Sequence, residues 1–131
     1  MGLDQFAYKT KVKPTNDVDF QDEIYGSKES ENDHEEIHYW RKHPNIHGYM
    51  ERLYREKGGV SEFNCKPVQL EQQDIDQLAL AIINNELPRT SGFFFGESED
   101  TPEEKQEDLD FCKVASDAIK EGYTVFYDSW W

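Results

Sequence analysis

Positive charge is what this chain has least of: 14 Lys and Arg stand against 28 Asp and Glu, for a formal net charge of −14. A surface of that sign repels nucleic acid beyond local contact, so direct DNA or RNA binding is not expected. The same charge leaves open the opposite role, an acidic decoy for a nucleic-acid-binding protein. Cysteine is scarce too. Cys65 and Cys112 are too few for a disulfide framework, and a reducing cytosol is the expected compartment. No apolar run approaches the roughly 18 residues of a membrane span. Met1-Gly2-Leu3-Asp4 lacks the basic and apolar regions of a secretory leader. No glycine-rich phosphate loop is present, so nothing points to a kinase or NTPase, and no motif requires a cofactor.

Mean hydropathy is low, −0.93, yet aromatic residues make up 14% of the chain. Large rings bury enough area each to build a core from few residues. A single α+β domain spanning 1–131 is expected, with a flexible acidic insertion at about 14–33. Its sheet of about four strands, mixed or largely antiparallel, carries three to four helices. Leu3 to Val12 alternates as a strand. Pro14 to Asp33 is rich in Asp and Glu, with Phe20, Ile24 and Tyr25 as a partial anchor. Asp33 and Glu36 have capping-box spacing, which predicts a helix to about Lys42. Pro44 opens a second helix with its apolar face at Ile46, Tyr49, Met50, Leu53 and Tyr54, ended by Gly58-Gly59. Phe63 to Leu70 reads as a strand that Pro67 demotes to an edge. Ile75, Leu78, Ala79, Ile82 and Ile83 mark the clearest helix. Phe93-Phe94-Phe95 between Gly92 and Gly96 reads as a central strand, apolar on both faces. Thr101-Pro102-Glu103-Glu104 starts a last helix reaching Gly122, and Tyr123 to Trp131 closes as a strand. Connections through single helices predict some parallel strand neighbours.

All four histidines fall between His34 and His47, and His34-Glu35-Glu36-Ile37-His38 spells H-E-x-x-H. On a helix this motif sets two imidazoles one turn apart to hold zinc, with Glu35 as general base. Its place at a helix start beside acids, with no identifiable third ligand, favours chance spelling over a zinc peptidase. A structural or adventitious metal site would use His34, His38, His43 and His47. Cys112 lies on an apolar helix stripe and reads as core. Ser91 before Gly92 is not a nucleophile elbow, which needs glycine on both sides.

A ligand site is expected further along. Tyr39 and Trp40 beside Arg41 and Lys42 could stack on a ring while pairing with a phosphate. His47, Ser91, Gly92 and Ser129 would complete a polar-rimmed aromatic pocket. The simpler reading is that Tyr39 and Trp40 are core and that Arg41 pairs with a neighbouring acid.

Met1-Gly2-Leu3-Asp4, Tyr39-Trp40-Arg41-Lys42, Ile46-His47, Ser91 to Gly96 and Ser129-Trp130 together resemble a family of small uncharacterised proteins of phages, cyanophages included, and of prophage-like bacterial genomes. The match spans nearly the whole chain outside about Lys11 to Asp33. Family members are sometimes labelled phosphoglycerate kinase, a label for which this chain has neither the length nor the glycine loop. The resemblance implies an accessory role in host takeover or counter-defence, in the cytoplasm of an infected cell. The expected function is therefore non-enzymatic binding of a small anionic or nucleotide-like ligand. The alternative is an acidic module or nucleic-acid mimic that blocks a basic host protein through Asp17 to Asp33.

Overall fold

A computed structural model describes residues 2–25, 34–92 and 95–131. The chain runs β1 (Asp4–Thr10), α1 (Gln21–Tyr25), β2 (His34–Arg41), α2 (Pro44–Glu56), β3 (Val68–Leu70), α3 (Gln72–Ile83), α4 (Pro102–Lys120) and β4 (Thr124–Trp130). The α+β expectation holds: four strands form one sheet in the order β2-β1-β4-β3. Every pairing is antiparallel, which corrects the expected parallel neighbours. The reason lies between α3 and α4. The residues described around Phe93 and Phe94, which themselves lie outside the described residues, are not in a strand. α3 and α4 pack on each other as a helical hairpin, joined by Gln72 to Ser116 and Lys105 to Ile83. Two antiparallel helices return the chain to the end of the sheet it left, so β4 runs back along β3.

The second correction concerns His34 to Arg41, expected as a helix and found as β2. A helix cap is worth about 1 kcal/mol. Here it competes with backbone pairing along the whole of β1, from Asp4–Arg41 to Thr10–His34, and with the β-preference of Ile37, Tyr39 and Trp40. Pairing wins. Lys42, at φ 56, ends the strand in a left-handed conformation, and Pro44 opens α2 as its fixed φ favours.

One face of the sheet carries Ala7, Trp40, Tyr127, Val125, Val68 and Leu70 against Ile46, Met50, Tyr54, Ile75, Leu78 and Phe111 of the helices. Cys112 is buried there, as expected of a core residue, and burial pushes its thiol up to about 12. Cys65 is exposed. The other face is covered in part by α1, whose Ile24 packs with Phe20 on Phe126. Within residues 14–25 the expected partial anchor is seen: Phe20 and Ile24 are buried, Val18 bridges Val68, and the acids Asp17, Asp19 and Asp22 are exposed. The remainder of the expected acidic insertion lies outside the described residues. Among the described residues no helix is long and apolar enough to cross a membrane.

Candidate functional site

In a regular strand His34 and His38, four apart, would share a face. The register instead jumps between Ala7 and Tyr8: His38 opposes Ala7, Glu36 opposes Tyr8, and Ile37 is the extra residue of a bulge. One inserted residue reverses the alternation. His34 therefore lies against Tyr8 and Tyr25 on the α1 side, and His38 against Trp40 and Phe111 on the α4 side. The two imidazoles of H-E-x-x-H are separated by the sheet, so the zinc-peptidase reading and the shared four-histidine metal site both fail.

The expected ligand residues divide in the same way. Tyr39 and Arg41 are on the α1 side, tied to Asp4 at 2.6 Å and 3.4 Å; the simpler expectation holds for Arg41, whereas Tyr39, expected in the core, is exposed. Trp40 is buried on the helix side and donates its indole N–H to Asp108 at 3.0 Å. The Lys42 stem runs against Gly96. Ser129 is buried, its Oγ without a hydrogen-bond partner among the described residues. A single pocket formed by all of them does not exist.

Three of them do meet. His47, Ser91 and Gly92 line a cavity of about 400 Å³ whose walls are Phe63, Phe95 and Trp131, with Glu51, Arg55 and Glu62 at its rim. The wall is built by close approaches. Gly48 in α2 lets the 90-loop lie on the helix, since a Cβ there would come 1.9 Å from Thr90 Oγ1. Asn45 Oδ1 accepts the Thr90 N–H at 3.0 Å. Phe95 folds back over Gly92, where a Cβ would sit 2.7 Å from its ring. Trp131 is clamped by Asn64 in both directions and donates Nε1–H to Phe63 O at 2.8 Å. Phe95 and Trp131 meet edge to face at 5.1 Å, and His47 lies 4.9 Å from Phe95 and 5.0 Å from Phe63. His47 Nδ1 shares a 2.8 Å hydrogen bond with Tyr127 Oη. Burial lowers its pKa to about 4, so at neutral pH the imidazole is an uncharged hydrogen-bonding wall. Arg55, the one Lys or Arg lining the cavity among the described residues, is held by Glu51 at 3.4 Å and by Gly59 O at 3.2 Å.

A second polar cluster sits at the junction of β2, α2 and α4. His43 is the N-cap of α2, and buried Gln5 of β1 grips its backbone, accepting its N–H at 2.8 Å and donating to its carbonyl at 3.0 Å. The His43 Nε2 lies 2.8 Å from Asp108 Oδ2 and 3.6 Å from Glu104 Oε1, and its Nδ1 lies 2.7 Å from Ser98 Oγ. Ser98, His43 and Asp108 resemble a nucleophile, base and orienter. Ser98 Oγ, however, accepts the Asn45 N–H at 3.1 Å. It caps α2 from another segment, and that bond draws off electron density a nucleophile needs. Asp108 and Glu104 also line a cleft of about 560 Å³ with Asn45, Asp100 and Thr101. Sequence reasoning passed over Asp108, although it left a signal: Asp108 occupies the buried stripe of α4 shared with Phe111, Cys112, Ala115 and Ala118. An acid on an apolar stripe needs a partner.

Comparison of the chain with protein-family models, with curated proteins and with solved structures finds no match.

Proposed function

We propose that the protein is a non-enzymatic, phage-type accessory protein of the infected host's cytoplasm that binds a small base-like ring in the cavity of His47, Phe63, Phe95 and Trp131. The phage assignment rests on the sequence resemblance. The binding reading rests on one observation: three aromatic walls and a neutral imidazole line an open cavity of about 400 Å³, a volume within the usual range of small-molecule sites. Aromatic faces stack on planar rings whatever their sequence identity, and neutral His47 supplies the polar contact that orients one. Glu51 and Glu62 at the rim, with Arg55 already paired, favour the base of a nucleotide-like ligand over its phosphate. The ligand favoured here is accordingly an uncharged or cationic ring, which keeps the nucleotide-like base and departs from the expected anionic group.

Thermal-shift screening against nucleobases, nucleosides and linear and cyclic nucleotides tests this. A binder is expected to raise the melting temperature, and Trp131→Ala to weaken it by roughly ten- to a hundredfold, the worth of one stacked base. Arg41→Ala, on the far side of the sheet, is expected to bind as the wild type does. Loss of binding in Arg41→Ala with retention in Trp131→Ala, or no shift with any compound, would reject the cavity as a ligand site.

A second reading, an acidic module that occludes a basic host protein, draws on the α1 side of the sheet. Tyr39 and Trp130 stand 44% and 66% exposed there, next to Asp4. Partner capture through that face is expected to weaken with salt and with Trp130→Ala. Capture indifferent to both counts against it.

A further inference from the structure

We propose that His43, Glu104 and Asp108 form a binding site for a divalent first-row transition ion, zinc being the natural probe. Their donor atoms all lie within 4.8 Å of one another. A tetrahedral zinc with bonds of about 2.0–2.1 Å holds its ligand atoms about 3.3–3.4 Å apart. The two separations from His43 Nε2, 2.8 Å to Asp108 and 3.6 Å to Glu104, bracket that value. An ion therefore enters by replacing the proton between His43 and Asp108 and easing that pair apart by about half an ångström.

The outward atoms of the three groups are already committed. His43 Nδ1 is held by Ser98 Oγ, Asp108 Oδ1 by the Trp40 indole N–H and Glu104 Oε2 by the Glu99 N–H. Glu104 Oε1 also accepts the Asp100 N–H at 3.2 Å, which leaves one lone pair of that oxygen for the shared point. Such outer bonds orient metal ligands and fix the imidazole tautomer. Once the ion has displaced the proton between Nε2 and Asp108, Nδ1–H donates to Ser98 and Nε2 turns its lone pair to the ion beside the two carboxylates. Glu104 and Asp108, four apart on α4, share one helix face and line the cleft of about 560 Å³, so a fourth position is open to water or to a ligand. One nitrogen and two carboxylates suit zinc, manganese, iron(II) or cobalt(II) better than calcium or magnesium, which favour all-oxygen shells. Lys105 also lines the cleft, but its ammonium is directed to Ile83 O and Asn85 Oδ1.

The test is a cobalt(II) titration of chelator-treated protein followed by visible absorption, with zinc competition by calorimetry. Excess magnesium is present throughout to occupy the acidic surface. One ion per chain is expected, with a visible spectrum of low-coordinate cobalt. Glu104→Gln and Asp108→Asn, each confirmed folded by circular dichroism, are expected to weaken binding by roughly tenfold or more. His34→Ala, which removes the first histidine of H-E-x-x-H, is expected to bind as the wild type does. Absence of stoichiometric binding to the wild type under magnesium overturns the proposal. So does an affinity in both carboxylate variants equal to that of the wild type, which would mean surface binding only.

Discussion

Asp108→Ala is expected to cost about 3–5 kcal/mol of folding stability, and Asp108→Asn only about 1 kcal/mol. The difference follows from which partners each substitution strands. Asp108 takes the Trp40 indole N–H on one oxygen and His43 Nε2 on the other, and Trp40, His43 and Asp108 are all buried. Alanine removes both acceptors and leaves the Trp40 indole N–H and the Nε2 side of His43 without the hydrogen bonds that Asp108 supplied in the core. Asparagine keeps Oδ1 for Trp40 and turns its amide N–H₂ toward His43. His43 answers by changing tautomer, so that Nε2 accepts and Nδ1–H donates to Ser98 Oγ, already 2.7 Å away. Urea unfolding reads both values, with an unchanged denaturant slope showing that the native state itself is intact. Equal losses in the two variants would mean that His43 cannot change tautomer, and that the pair is held by charge alone.

The second expected result is a pH dependence that the wild type conceals. Burial raises the Asp128 carboxyl from 3.8 to about 6, against the opposing hydrogen bonds from Ser129 N–H and Tyr25 O–H. Its folded pKa lies above the unfolded one, so its contribution to stability is fully present below pH 3.8 and is lost as pH rises through about 6. Two pKa units correspond to about 3 kcal/mol at most. Burial lowers His47 from 6.5 to about 4. That contribution has the other sign: it is complete above pH 6.5 and is lost as pH falls through about 4, again about 3 kcal/mol at most. His38 is lowered by the same cause and acts in the same direction as His47. Across pH 4 to 6 the aspartate and the histidines therefore oppose each other, and the wild type is expected to change little there on their account. Asp128→Asn keeps Oδ1 as acceptor for the Ser129 N–H and turns its amide N–H₂ to the Tyr25 oxygen, which then accepts, and it removes the buried charge. Its stability is expected to exceed that of the wild type by about 1–2 kcal/mol at pH 7. It should then fall steeply below pH 6.5, as His47 and His38 act unopposed. Thermal melts of both proteins across that range measure this; parallel profiles would show that Asp128 is not the compensating group.

Several parts of the fold were legible because their causes are local. Thr101 Oγ1 accepts the Glu104 N–H at 3.1 Å, the cap that Thr-Pro-Glu-Glu announces. Pro44 and Gly58-Gly59 bracket α2 to within two residues, and the apolar spacing from Ile75 to Ile83 placed α3. Pro67 demoted its segment to an edge, and β3 is an edge strand, though of the expected Phe63 to Leu70 only Val68–Leu70 pairs. Phe20 and Ile24 anchored the acidic stretch as their size suggested. Of the expected site, His47, Ser91 and Gly92 share a cavity, whereas its aromatic walls Phe63 and Trp131 arrive from distant positions that no spacing rule connects to them.

Caps, prolines, glycines and apolar periodicity act within a few residues, so the sequence by itself determined the three longer helices, the two terminal strands, the edge strand and the burial of Cys112. Strand partners and sheet faces are settled by contacts made far along the chain, and only the tertiary structure decided those. Pairing with β1 turned an expected helix into β2, and one bulge at Ile37 set His34 and His38 on opposite faces. The same pairing carried His43 to the end of β2, within reach of Asp108, which lies 65 residues away in the chain. Among the described residues, the histidine that has carboxylate partners is thus outside the motif that drew attention to histidine, because register, not spelling, assigns each side chain its neighbours.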